Sequence, residues 1–278
     1  MAVMQPNNTS SLNKHNWARR IEPALYDSML FIPTLDETAE TINQQLTVRR
    51  LGRISTQTLA DTNDGETFNF DTITPTAITL APVWMIAAAA YADSAPRRQG
   101  DEIKPAYASN VEDALAAGLD YYMLSLIPSG TTTPIGNAAY NIDAAGLRSA
   151  LAALVTNTKR KIKPGDDINL LLDTGQVDDA LSIPEITQAY QRGDGRSPLV
   201  SGRVSTGYGF SFAFTTLLTS DANGKHGAAY KGQAIQYGYN KRPSPEVQRY
   251  KKQTRLMADA EIAGNIIYNE MLQPIRTA

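Results

Sequence analysis

The side chains that most often carry chemistry are thinly spread in this sequence. It holds two histidines, His15 and His226, and neither has a partner at the spacing of a metal site or a nucleophile–base pair. Both therefore read as surface or interface residues. There is no cysteine, which excludes disulfides, zinc–thiolate sites, iron–sulfur clusters and thiol nucleophiles. The run 61–66 carries Asp61, Asp64 and Glu66, but a calcium loop needs glycine at its sixth position and Gly65 stands at the fifth. That run reads as a hairpin tip. Gly207-Tyr208-Gly209 lacks the third glycine of a dinucleotide fingerprint, and neither a phosphate-cradling loop nor a nucleophile elbow occurs. Arg192-Gly193-Asp194 spells an adhesion tripeptide inside turn-forming residues, while Asn7 and Asn8 match glycosylation acceptors with no secretory segment to use them. The acid pairs Asp166-Asp167 and Asp178-Asp179 lack a second cluster and read as solvated turn and helix surface. The basic set Lys241, Arg242, Arg249, Lys251, Lys252 and Arg255 could touch DNA, although a solvated or interface face explains it better. The best local candidate for catalysis is Asp173, at the end of an apolar run. It would belong to an α/β enzyme of unrecognised class. No catalytic, cofactor-binding or metal-binding residue is assigned, and no cofactor is expected.

The elements around these residues are clearer than the chemistry. Residues 1–14 are polar and rich in Asn and Ser, too poor in apolar material to order alone. Trp17, Ile21, Leu25 and Leu30 then recur at near-helical spacing, interrupted by Pro23 and stopped by Pro33. Over 46–80, Leu46 and Val48 alternate with Thr47 and Arg49, and 67–71 alternates again. This predicts a long polar β-hairpin with its tip near Asp64-Gly65. Residues 103–127 form the clearest helix, with Tyr107, Val111, Leu115, Leu119, Tyr122 and Leu126 on one stripe and Pro128 ending it. A second helix over 143–158 is capped by Asp143 and turns Leu147, Leu151, Leu154 and Val155 inward. Residues 168–172 suit a buried strand, and 174–191 a helix broken at Pro184. Residues 199–205 and 210–218 are strand-like, with Phe210, Phe212 and Phe214 on one face, and 221–224 is a turn. Tyr230, Ala234 and Tyr237 stand at helical spacing, and prolines break the chain at 243–245. The run 256–268 fits helix or strand equally.

Composition sets the limits. Of 278 residues, 42% are hydrophobic and 19% charged, enough for one large domain or two modest ones with little surface charge. The formal net charge of −2 is no strong polyanion grip. The longest apolar run, 85–92, is far shorter than a membrane helix needs, and the first twenty residues lack a signal core. A soluble chain made in a cytoplasm, with no membrane partner, is the expectation.

The order of these elements resembles the major capsid proteins of tailed bacteriophages, the Hong Kong phage capsid fold, an α+β class. Residues 1–45 look like that family's N-terminal arm and 46–80 like its extended E-loop hairpin. The stretch 78–83, followed by 84–92, is similar to the strand returning to the peripheral domain (81–134), and 103–127 to its spine helix. Residues 135–235 look like the axial domain, within which 197–205 resembles a strand entering a glycine turn and 226–237 an Ala-rich helix. Residues 236–278 look like the return to the peripheral domain, 264–275 resembling its closing strands. The resemblance implies a virion protein, assembled in the host cytoplasm, that forms hexamers and pentamers of an icosahedral shell. Its partners would be copies of itself, a scaffolding protein, a portal protein and in some cases a decoration protein. The shell would enclose double-stranded DNA without sequence-specific contact. An encapsulin-like shell or a tail structural protein stands beside this reading. Within the hairpin, Arg49, Arg50 and Arg53 cluster on one arm, with Asp61, Asp64 and Glu66 at the tip. Opposite charge at the two ends predicts an intersubunit contact in which the tip reaches a neighbour's basic base.

Overall fold

The structure is a computed structural model, and it describes residues 29–37, 40–42, 45–50, 75–92, 103–158, 167–184 and 210–278. A 3-10 turn at Ile32–Thr34 leads into β1 (Asp36–Glu37), β2 (Glu40–Ile42), β3 (Gln45–Arg50), β4 (Thr76–Leu80) and β5 (Val83–Ala92). Helix α1 (Ile103–Leu124), β6 (Ile135–Gly136), α2 (Ala144–Thr158), β7 (Ile168–Asp173) and the short α3 (Val177–Ser182) follow. Then come β8 (Phe210–Thr215), β9 (Ser220–Asp221), β10 (Gly224–Lys231), β11 (Ile235–Tyr250), β12 (Gln253–Ile266) and β13 (Leu272–Thr277). They build a four-stranded sheet in the order β1-β11-β12-β5, a six-stranded sheet in the order β6-β13-β10-β7-β8 with β9 on β10, and a three-stranded sheet β2-β3-β4. The class is mixed α+β, as the element pattern predicts. Among the described residues no helix is long and apolar enough to cross a membrane.

Helix α1 carries the largest core. Val111, Leu115, Leu119, Met123 and Leu124 are buried against Leu256, Ala258, Ala260 and Ile262 of β12, and Met85, Ala87 and Ala89 of β5 pack beside them. The expected rod through residue 127 stops at Leu124. The amide of Leu126 bonds back to Met123, three residues away, which tightens the last turn into the 3-10 segment Ile127–Ser129. Pro128 supplies the reason, since it has no N–H to continue the ladder. A second core lies under α2, where Leu147, Ala150 and Leu154 meet Leu170 and Leu172 of β7, Phe210 of β8 and Ile275 of β13. The Asp143 carboxylate accepts the Gly146 amide at 2.7 Å, the expected cap, but Val155 is exposed rather than inward. Phe210, Phe212 and Phe214 do share the face toward this core.

Three expectations in the C-terminal third are corrected. Residues 226–237 are no Ala-rich helix: β10 is a strand paired to β13 on one side and β7 on the other. Both its faces are covered, so Ala228, Ala229 and Tyr230 are buried in succession, and strand pairing overrides the helix preference of alanine. The prolines at 243 and 245 do not break the chain. Both sit inside the 16-residue β11, whose register to β12 shifts between Tyr239 and Lys241 and again between Lys241 and Ser244. Pro243 falls in the second shift, where a bulge tolerates the missing N–H, and Pro245 pairs with Ala258 just beyond it. His226, expected at a surface or an interface, is buried within the subunit, with Nε2 3.4 Å from Asp221 Oδ2. The undecided run 256–268 resolves as β12, which ends at Ile266. Phe210–Thr215 is strand as expected, but its predicted continuation to 218 ends in non-strand residues. Helix α3 and the 3-10 turn Thr174–Gln176 form the first part of the expected broken helix. His15, Asn7, Asn8, Asp166, the 192–194 tripeptide, the strand at 199–205 and the 207–209 glycines lie outside the described residues.

Candidate assembly surfaces

The hairpin arms meet as the alternation predicts. β3 and β4 pair antiparallel from Leu46↔Leu80 to Arg50↔Thr76. Leu46, Val48 and Leu80 turn inward onto Ala263 and Ile267, so the base of the hairpin is fixed to the body of its own subunit. Arg50 is part of that fixing: its guanidinium lies 3.3 Å from Glu270 and 5.3 Å from the centre of the Tyr268 ring. Arg49 is exposed on the same strand. Arg53, Asp61, Asp64 and Glu66 lie outside the described residues.

Just before the hairpin, residues 29–35 form a clamp that sequence reading missed. Phe31 caps the 3-10 turn with no side-chain bond of its own. The cap comes from Asp120 on α1, whose carboxylate accepts the amides of Leu30 at 2.7 Å, Ile32 at 3.0 Å and Phe31 at 3.2 Å. Burial pushes the Asp120 carboxyl above the ordinary carboxylate range, and these amides pull it part of the way back. On the far side, Thr34 and Tyr230 share a 2.6 Å hydroxyl bond, and the Phe31 ring meets Tyr230 edge-on. The segment therefore joins α1 to the six-stranded sheet. One signal was present: an aspartate beside Leu119 on the apolar stripe of a helix implies a buried partner.

On the face of the four-stranded sheet turned away from α1, β5 exposes large apolar side chains. Along β5, Tyr91 and its odd-numbered neighbours pack toward the helix while Trp84, Ile86, Ala88 and Ala90 look out. Trp84 is 64% exposed and Ile86 49%. β5 is an edge strand, paired only to β12 among the described residues. Such an edge is a template for pairing unless something covers it. Asp259, on β12, ties the face together by accepting from Trp84 Nε1 at 3.0 Å, Ser244 Oγ at 2.8 Å and the Lys241 ammonium. Partial burial opposes its charge, but these three donors outweigh it and hold the carboxyl below the usual range. Arg242 is bonded to Glu37 at 2.6 Å. The rest of the basic set, Arg249, Lys251, Lys252 and Arg255, clusters at the far end of the β11–β12 hairpin.

Asp173 does stand at a strand end and is buried. Its Oδ2 takes the Lys225 ammonium at 2.7 Å and the Gly175 amide at 2.8 Å, so it caps a turn and holds an ion pair. An open cleft of about 390 Å³ lies between α1 and β8, with Asp113, Asp120, Phe214 and Thr216 on its walls. Among the described residues no group of three or more metal-ligating side chains converges. Asp178 and Asp179 stand in the first turn of α3, where negative charge suits a helix start.

A long helix on a hairpin sheet, a second sheet-and-helix lobe and a hairpin base seated on Ala263 and Ile267 make up the fold. Solved structures share it. The chain is similar to the capsid of the cyanophage P-SCSP1u, with a TM-score of 0.67 and 12% identity over 90% of this chain and 88% of that one. It is similar to the capsid of Ralstonia phage GP4 with a TM-score of 0.64 and 11% identity over 87% and 86%. A virus-like particle from Pyrococcus furiosus matches with a TM-score of 0.63 and 8% identity over 95% of this chain and 99% of that one. No protein-family model and no curated protein matches the sequence. The chain has the Hong Kong phage capsid fold.

Proposed function

We propose that this chain is the major capsid protein of a tailed phage, a structural subunit rather than an enzyme. It assembles in the host cytoplasm into hexamers and pentamers of an icosahedral shell around double-stranded DNA and resides in the virion. The observation that carries this is fold similarity along most of the length of both chains. Physical features support it. The apolar edge strand β5, with Trp84 and Ile86 exposed, is a poor feature for an isolated monomer and suits an element completed by a neighbour. In this reading 1–45 is the arm, 46–80 the E-loop, 81–134 the peripheral domain, 135–235 the axial domain and 236–278 the return. Arg49, Arg53, Asp61, Asp64 and Glu66 are then intersubunit residues, while Arg50 also secures the hairpin root. A scaffolding protein, a portal and a decoration protein are the partners the reading implies.

The particle from Pyrococcus furiosus favours a second reading, an encapsulin-like shell that carries no phage genome. Expression with and without a co-expressed scaffolding protein, followed by sedimentation and electron microscopy, separates the readings. Closed shells with fivefold and sixfold capsomers are expected. Open tubes of stacked sixfold rings would indicate a tail protein, and protein that stays monomeric in both conditions would overturn the shell reading. Shells that form but neither accept a portal nor fill with DNA would favour the encapsulin-like alternative.

A further inference from the structure

The two sides of the four-stranded sheet are built differently. One ends in the two-residue β1, which is acidic at Asp36 and Glu37, and beyond it in the rest of β11. β11 is a guarded edge: its register shifts twice, it carries Pro243 and Pro245, and Lys241, Arg242, Glu246 and Arg249 punctuate it. Each of these devices discourages a further strand. β5, on the other side, has none of them. It pairs with β12 without a register shift from Val83↔Ile262 to Ala92↔Gln253 and contains no proline. No residue from 72 to 92 is charged. Among the described residues nothing pairs with its outer side.

The side chains of β5 are graded along the strand. Val83, Trp84, Met85 and Ile86 fill its first half, and alanines occupy 87 to 90. A second β5 running antiparallel about a twofold axis through Ala87 sets large against small. Trp84 of one copy then stands opposite Ala90 of the other, Met85 opposite Ala89 and Ile86 opposite Ala88. Opposite residues of antiparallel strands share a face, so Trp84 and Ile86 of each copy meet the outward alanines of its partner. A parallel, in-register partner loses this fit, because it sets Trp84 and Ile86 beside their own equivalents. The Trp84 indole is already fixed by its bond to Asp259, so covering it costs little side-chain ordering.

We propose that the free edge of β5 pairs antiparallel with β5 of a second copy, joining two subunits across a twofold axis in one continuous sheet. Both outer faces then lie on one side of that sheet and both copies of α1 on the other. An icosahedral shell has twofold axes, where one patch of surface meets itself. The proposal rests on the shell reading above and names the strand that meets at such an axis.

The test is cross-linking, and the chain has no cysteine of its own to confuse it. Ala87→Cys, assembled and mildly oxidised, should run chiefly as a disulfide-linked dimer on a non-reducing gel, since directly opposed Cα atoms stand about 4.5–5.5 Å apart, within disulfide reach. Trp84→Cys alone should not link, because its two thiols would be roughly 20 Å apart along the strands. A mixture of Trp84→Cys and Ala90→Cys subunits should link. Ala88→Lys, which puts a charge on the free edge, should lower shell yield about tenfold while the free subunit keeps its melting temperature. Ala88→Ser should keep the yield. Shells whose Ala87→Cys subunits do not link, a dimer from Trp84→Cys alone, or a wild-type yield from Ala88→Lys would overturn the proposal and leave the shell reading intact. Linked Ala87→Cys dimers from a chain that never closes into shells would uphold the pairing and overturn the shell reading. A chain that gives neither dimers nor shells would overturn both.

Discussion

Replacing Asp120 by alanine is expected to cost the free subunit roughly 2–3 kcal/mol of stability, a fall of about 4–10 °C in melting temperature. The amides of Leu30, Phe31 and Ile32 all bond this carboxylate, and Phe31 and Ile32 are buried, so two of the three donors have no water to turn to. Asp120→Asn should fall between, because it keeps one acceptor oxygen but brings an NH2 group among donors. The pH dependence carries its own sign. Burial raises the folded-state value of Asp120 above the unfolded one, so the native chain binds this proton more tightly than the unfolded chain. Its contribution to stability therefore falls as pH rises from about 4 through the raised folded value. Melting curves across that range should show a shallower decline for Asp120→Asn than for wild type. An alanine variant that melts with wild type would show that the clamp at residues 29–35 is held by its apolar contacts alone.

A comparable loss, about 3 kcal/mol, is expected for Gly227→Val. Valine is a good strand residue, and the secondary-structure preference alone would favour the change. The space does not: a Cβ on Gly227 would lie 2.5 Å from the Leu171 carbonyl oxygen of the neighbouring strand. That obstacle is backbone in the middle of the six-stranded sheet, so β7 and β10 would have to separate. Gly264→Ala is the instructive contrast. Its Cβ would meet Met123 Cε at 2.5 Å and Sδ at 2.7 Å, the far end of a flexible side chain that can swing aside. That change should cost about 1 kcal/mol or less. Urea midpoints decide the order, and an equal or reversed ranking would mean that the sheet is softer than its close strand approach implies.

Local patterns were legible where one face of an element meets one core. The stripe through Val111, Leu115 and Leu119 has the helical period because α1 is covered on one side, and Leu46 and Val48 alternate because β3 is too. The run 256–268 was ambiguous because successive residues 258, 259 and 260 of β12 are all buried, which erases the period of two. Alanine in 228–229 pointed to helix, and only the strands on both sides of β10, drawn from distant parts of the chain, reverse that preference. The β11–β12 turn was invisible because Lys251-Lys252 contains none of the residues that mark a hairpin. The charged groups of the candidate surfaces divide in the same way. Their clustering along the sequence was plain, but Arg50 and Glu270 are 220 residues apart, and no spacing rule foretells such a pair.

Trp84 gives the molecule a built-in optical reporter. The sequence has two tryptophans, and Trp84 is 64% exposed on the outer face of β5, the edge strand that the proposed assembly would have a neighbour cover. With Trp17 replaced by phenylalanine, its emission in the free subunit would be that of a largely solvent-exposed indole. Any contact that buries the β5 face would shift the emission to the blue and shield it from soluble quenchers. Assembly could then be followed in real time by fluorescence, and its kinetics would date the covering of this strand relative to the closing of the particle seen by light scattering.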